Sequence, residues 1–347
     1  MDARLRYSRE EIMSSHDYAR PHEAVGYRLH GGFLADGTYV SPRTKVRWPA
    51  VRAWGDALKA RGWPLIDASG ALLQREGYPT FEQQKLLLKH GFGQPLWNSL
   101  TVTGIIEARG QALCNVVAPD MQMLIVDDVA DSATGHLNAG LLYAHGADEG
   151  GDPAKPGEGA HDQMWFAARD LVFGKGAYPL PEAPASIARP VEDREMPQLP
   201  EGFEQLLKFL MNVLMIEIRA ESFFSLCCRI FRDPELFTDR RADAETAAQM
   251  VERIRTDEAI HVGYLQVLIS ELRSFRWKTK DGIVQGAEII DPVWAKMVEW
   301  HGKLERDLAA ARTRESIEAM VIAARGEAEG RAFLAKLDAL DAPAAAA

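Results

Sequence analysis

The 347-residue chain, at 38.5 kDa, has the size of one large or two modest domains. Its 47% hydrophobic and 26% charged residues are ordinary globular usage, which excludes disordered, collagenous and low-complexity classes. Fifty acidic against 40 basic residues give a net charge of −10, which opposes attraction to phosphate backbones and anionic lipid, so neither nucleic acid nor membrane is expected as a partner.

No window approaches about 18 uncharged apolar residues; the richest, 209–228, contains Glu217, Arg219 and Glu221. The N-terminal MDARLRYSREEIMSSHDY is charged throughout and lacks the apolar core of a secretory signal, so a cytoplasmic protein is expected. Cys227 and Cys228 are neighbours in a predicted helix, about 100° apart, which disfavours a mutual disulfide, and Cys114 stands alone. Reduced, packed thiols follow.

In chain order, residues 1–92 read as a mixed cap without a chemical signature of its own. GGFLADGTYV predicts a hairpin at Asp36-Gly37, VRWPAVRAWGDALKARG a short helix closed at Gly62, and TFEQQKLLLKHG a capped helix. From about Gln94 the apolar periodicity lengthens into a first helical stretch, PLWNSLTVTGIIEARGQALCNVVA, and a second, DMQMLIVDDVADSATGHLNAGLLYAHG, capped at Gly146. The connection 146–202 is rich in proline and glycine around one amphipathic piece, HDQMWFAARDLVF. A third stretch, FEQLLKFLMNVLMIEIRAESFFSLCCRIFRD, stops at Pro234, and a fourth is DAETAAQMVERIRTDEAIHVGYLQVLISELRSF. Residues 276–347 predict a hairpin at Lys280-Asp281-Gly282, one or two helices between Asp291 and Leu340, and a frayed Ala-rich tail. The expected fold is mainly α: a four-helix bundle over 93–275 with one long crossover, an N-terminal mixed cap and C-terminal helices.

The chemistry lies in the bundle. Glu217 and Glu221 share a face of the third stretch one turn apart, inside an apolar run where an unpaired carboxylate costs several kcal/mol, on the order of a whole ion pair. Glu258-x-x-His261 on the fourth stretch aims a carboxylate and an imidazole from one rigid face. The first hairpin repeats part of this: Ile106-Glu107-Ala108-Arg109 matches Ile216-Glu217-Ile218-Arg219, and setting His136 against His261 aligns Val126 with Val251, Asp127 with Glu252 and Val129 with Ile254. Internal duplication is the economical explanation.

On these residues the chain resembles the ferritin-like di-metal carboxylate superfamily, over residues 95–275. That resemblance implies one Glu from each of the first and third helices and a Glu-x-x-His pair from each of the second and fourth. The matching positions are Glu107, Glu217, Glu258, His261 and His136. The pattern breaks at Ala133, where the second helix should carry Glu, and Glu221 is the neighbour expected to replace or supplement it. Asp257 and Tyr264 are the expected outer partners, as a carboxylate orienting a metal-bound histidine and as a hydrogen-bonding or core aromatic ring. Manganese catalases, in the same superfamily, imply a similar count of three Glu and two His.

The resemblance implies two iron ions, the second held more weakly, with manganese as the other fitting metal. The expected function is O2 activation for oxidation or oxygenation of a small organic substrate, because 90 residues of cap and a long crossover exceed what a simple storage bundle needs. Peroxide dismutation and a non-catalytic metal-binding or interaction bundle are the alternatives. O2, a small-molecule substrate, an electron-donor protein and a second copy of the chain are the partners this reading admits.

Overall fold

The computed structural model describes residues 4–74, 77–191 and 193–340. It begins with α1 (Arg9–Ile12), closed by a Ser8/Glu11 capping box, and an antiparallel sheet of β1 (Arg20–Ala24), β2 (Tyr27–Phe33) and β3 (Tyr39–Val40). The hairpin expected at Asp36-Gly37 joins β2 to β3, with Gly37 at φ 86. Next come α2 (Arg47–Ala60) and α3 (Phe81–Lys89), the latter started by a Thr80/Gln83 capping box. The bundle helices are α4 (Gln94–Gly110), α5 (Leu142–Glu149), α6 (His161–Phe173), α7 (Glu201–Arg232) and α8 (Arg241–Ser274). The chain ends in the hairpin β4 (Arg276–Thr279) and β5 (Gly282–Gln285), then α9 (Gly286–Glu299), α10 (Glu305–Arg325) and α11 (Glu327–Ala339). The fold is mainly helical, and among the described residues no helix is long and apolar enough to cross a membrane. The tail expected to fray, 341–347, lies outside the described residues.

The scaffold is the antiparallel pair α7 and α8, each about 50 Å long. Their apolar stripes, from Leu207 to Phe231 and from Ala247 to Leu272, are buried nearly without interruption. Asp233-Pro234 ends α7, where proline can neither donate nor continue the helix.

Two expectations fail here. The second stretch is not one helix: residues 121–141 form short 3-10 and π turns broken at Gly140 (φ 118), and only Leu142–Glu149 is α-helical. DDVADSATGHLNAG is full of Asp, Ser, Thr, Asn and Gly, whose side chains or flexibility favour caps and turns over helix interiors. Gly146 does not cap a helix but sits inside α5, where a Cβ would come within 2.6 Å of the Cys114 backbone nitrogen. The crossover, in turn, is more than a connection. Its amphipathic piece is α6, which packs between α4 and α8 as a full member of the bundle.

The N-terminal cap is tied into this core. Gly159 N–H donates to Arg28 O at 2.9 Å and accepts at its carbonyl from His30 N–H at 2.8 Å, so β2 holds the strand-like lead into α6. This places the first residue of α6, His161, beneath the sheet.

Candidate metal centre

α4, α5, α6, α7 and α8 each send one or more titratable side chains to the same interior volume. Glu107 comes from α4, His145 and Glu149 from α5, His161 from α6, Glu217 from α7, and Glu258 and His261 from α8. They form two overlapping groups, His145/Glu149/Glu217/His261 and Glu107/Glu149/His161/Glu258, with ligand atoms in each within 4.8 Å of one another. Glu149 belongs to both. Its Oε1 lies 3.1 Å from His261 Nδ1, 3.4 Å from His145 Nε2 and 3.7 Å from His161 Nδ1.

Close approach of α5 makes this convergence sterically feasible. A Cβ at Gly110 would sit 2.7 Å from Glu149 Cβ, and one at Gly150 would sit 2.6 Å from Ala108 O. Glycine at both positions lets α5 lie against the end of α4, bringing Glu149 beside Glu107.

Each of the three imidazoles has one nitrogen secured from behind and the other turned inward. His145 Nδ1 contacts Tyr264 Oη at 2.8 Å and leaves Nε2 3.1 Å from Glu217 Oε1. His161 Nε2 donates to Asp257 Oδ2 at 3.2 Å and leaves Nδ1 3.1 Å from Glu258 Oε1. His261 Nε2 donates to Asp148 Oδ2 at 3.1 Å and leaves Nδ1 2.8 Å from Glu258 Oε2. The outer partners are themselves held. Asp148 pairs with Arg43 and with Arg47 Nη2, the latter at 2.6 Å, while Asp257 Oδ2 accepts from Tyr39 Oη–H at 3.0 Å and lies 3.0 Å from His30 Nε2. The cap thus supplies Arg43, Arg47, His30 and Tyr39 behind the ligands, a role its sequence did not signal.

Four carboxylates in one interior need compensating positive charge. Burial, then the charge of Glu149, pushes Glu107 well above the usual carboxylate range, and burial together with Glu258 raises Glu217 to about 8. Burial also works against ionisation of Glu149 and Glu258, but Glu107 and the three histidines outweigh it at Glu149, and His261 and His161 at Glu258, holding both low. Burial pulls the three imidazoles down, yet the surrounding carboxylates outweigh it and hold all three well above the ordinary histidine value. Without metal, protons on these groups balance the cluster.

The donors fit a metal better than they fit one another. Glu107 Oε2, Glu149 Oε1, His161 Nδ1 and Glu258 Oε1 are all buried, and all lack a hydrogen-bond partner among the described residues. They are the inward atoms of the second group, close together yet misaligned as hydrogen bonds. Buried polar atoms in native proteins are rarely left so. Carboxylate and imidazole donors of this kind suit divalent iron, manganese or zinc, and the sharing of Glu149 suits a pair of ions. The metal's identity is not fixed by the donors.

Of the residues singled out from sequence, Glu107, Glu217, Glu258 and His261 converge here, Asp257 stands behind His161, and Tyr264 behind His145. His136 and Glu221 require correction. His136 lies in the 3-10 turn before the π segment, where its Nδ1–H donates to Ser132 O at 2.7 Å and its Nε2 accepts from Tyr7 N–H at 3.0 Å, against the Trp54 ring. Both nitrogens are used, so it is a satisfied core histidine. Glu221 points to the surface and accepts from Arg255 of α8, with Nε–Oε2 at 2.9 Å. The counter-ion absent from its own neighbourhood comes from the facing helix. Glu221→Gln is therefore expected to leave metal content unchanged and to cost less than about 1 kcal/mol in urea unfolding, the range of exposed ion pairs; loss of one metal would show the opposite.

Ala133 leaves no deficit, because His145 and Glu149 of α5 and His161 of α6 supply donors, none of them among the residues expected from sequence. Two sequence features bear on Glu149 and His161. Asp148-Glu149 repeats the Asp257-Glu258 tandem, and His161 opens the one amphipathic helix inside the Pro/Gly-rich connection. Scans against protein-family models, curated proteins and solved structures return no match to this chain.

Proposed function

We propose that the chain carries a dinuclear iron centre that activates O2 to oxidise or oxygenate a small organic substrate. The observation that carries this reading is the convergence of four Glu and three His, each imidazole secured at one nitrogen, with four inward atoms (Glu107 Oε2, Glu149 Oε1, His161 Nδ1 and Glu258 Oε1) that have no hydrogen-bond partner among the described residues. Glu149 is the shared ligand, His145, Glu217 and His261 complete one position, and Glu107, His161 and Glu258 the other. Manganese fits the same donors. A pair of such ions, when bound, supplies the redox equivalents and the open coordination positions that O2 chemistry requires.

The protein's contribution is placement. Asp148, Asp257 and Tyr264 fix ring orientation and tautomer, so each histidine presents a lone pair inward. The N-terminal sheet covers α6 and His161, and 0–7% exposure of the seven ligands keeps bulk water from them. On this reading the plan is ferritin-like, with Glu107, Glu217 and the Glu258/His261 pair on the corresponding helices and the remaining donors, His145, Glu149 and His161, on α5 and α6. Turnover by this route draws electrons from an external donor.

Rapid mixing of anaerobically Fe(II)-loaded protein with O2 tests the reading. Oxygen consumption that scales with the iron loaded, with growth of ferric absorption, is expected. Inertness to O2 combined with fast peroxide disproportionation by the Mn(II) form would transfer the assignment to peroxide dismutation.

A further inference from the structure

α4, α7 and α10, with the extended segment 182–190, line an open cleft of about 1150 Å³, roomy by the standard of small-molecule sites. Its walls belong to the helices that carry metal ligands. Thr103 lies one turn before Glu107 and Ile106 directly before it, and Arg219 lies two residues beyond Glu217, on the opposite side of α7. The cleft and the centre therefore share α4 and α7 as partitions.

Part of the lining is apolar, with Val102, Ile106, Phe223 and Leu308. Leu308 is 49% exposed, an apolar surface that the chain itself leaves uncovered. The charged part has more cations than acids. Arg219 Nη2 and Arg312 Nη2 donate to the two oxygens of one carboxylate, Glu305, at 2.5 and 3.3 Å. Arg189, also in the wall, shares Glu195 with Lys296. The other acid of the lining, Glu182, sits on the exposed segment.

Arg219 is built in, not incidental. A π turn at Trp300–Leu304, between α9 and α10, places Trp300 in the lining and His301 behind Arg219. His301 Nδ1 accepts from Arg219 Nη1 at 3.1 Å while its Nε2–H donates to Asn212 Oδ1 at 3.0 Å. π turns recur where a helix serves a site.

We propose that this cleft binds an amphipathic organic anion, its carboxylate held by Arg219 and Arg312 and its apolar body lying along Val102, Ile106 and Phe223. Naming that anion as the substrate class of the metal centre rests on the function proposed above; the binding itself does not.

The test uses the full chain, metal-free, titrated calorimetrically with decanoate and with decan-1-ol below their aggregation limits. Decanoate is expected to bind once per chain and at least about tenfold more tightly than the alcohol, a difference of one charge pair in a partly buried setting. Arg312→Glu, at a largely exposed side chain, is expected to weaken decanoate about tenfold and leave the alcohol unchanged. Ile106→Trp, which narrows the apolar wall, should weaken both about tenfold. Equal affinity for the two probes, or decanoate binding indifferent to both substitutions, overturns the proposal. Metal uptake by the same preparation separates the claims. Two metals with no decanoate binding overturns the cleft assignment alone, whereas decanoate binding without metal uptake overturns the metal reading and leaves the anion site standing.

Discussion

Glu149→Gln is expected to abolish metal uptake at both positions, lowering affinity by at least about 100-fold, since loss of even an outer-shell partner typically costs 10- to 100-fold. The reason is topological: Glu149 is the one residue common to both ligand groups, and its Oε1 faces all three imidazoles. Glu107→Gln and Glu217→Gln each remove a carboxylate from one group only and should leave the other position measurable. Gln keeps the shape of the side chain, and glycines 110 and 150 keep α5 in place, so circular dichroism should match the parent. Metal analysis after anaerobic Fe(II) loading and desalting checks this; retention of one full equivalent by the Glu149→Gln variant would show that the carboxylate is not shared.

Asp148→Asn should be the most destabilising single substitution near the site, by about 3–5 kcal/mol in urea unfolding of the metal-free protein. Asp148 is fully buried and is the common counter-ion of Arg43 and Arg47, whose side chains are 3% and 1% exposed. Burial alone would raise its pKa, but the two guanidiniums outweigh that and hold it well below the carboxylate range. Such a depressed group contributes stability above the unfolded value of about 3.9 that is lost as pH falls through the folded one. Neutralising it leaves two buried cations with, among the described residues, Asp152 at 3.9 Å from Arg43 to offset them. Arg43 is also held at φ 53, a conformation that needs its surroundings to maintain it. Adding Arg47→Met to the Asp148→Asn variant removes one stranded charge and should recover part of the loss. A double variant no more stable than the single would place the effect elsewhere.

How far the sequence carried the site follows from which donors share a helix. Glu217, Glu258 and His261 lie on long α7 and α8, where apolar periodicity is sustained and spacing translates into direction. Glu107 was found through its likeness to Glu217. His145, Glu149 and His161 are not legible in the sequence: the first two sit four apart on an eight-residue helix with too few turns to show a period, and His161 begins another helix beyond a Gly/Pro-rich turn. Their placement depends on tertiary contacts, the glycine approach of α5 to α4 and the β2 lead into α6. His136 was overvalued because an alignment to His261 assumed a continuous second helix, whereas the polar, turn-forming residues 127–140 break it. Glu221 shares a helical face with Glu217 only approximately; about 40° and one turn suffice to carry it to Arg255 on the surface.

Anomalous diffraction at the iron edge, from crystals grown with anaerobic Fe(II), tests a two-metal centre shared through Glu149. Two peaks per chain are expected within the five-helix interior, one bounded by His145, Glu217 and His261 and the other by Glu107, His161 and Glu258, with Glu149 between them. A single peak bound by surface carboxylates, or an interior without anomalous signal in which these side chains bond only to one another, would contradict such a centre.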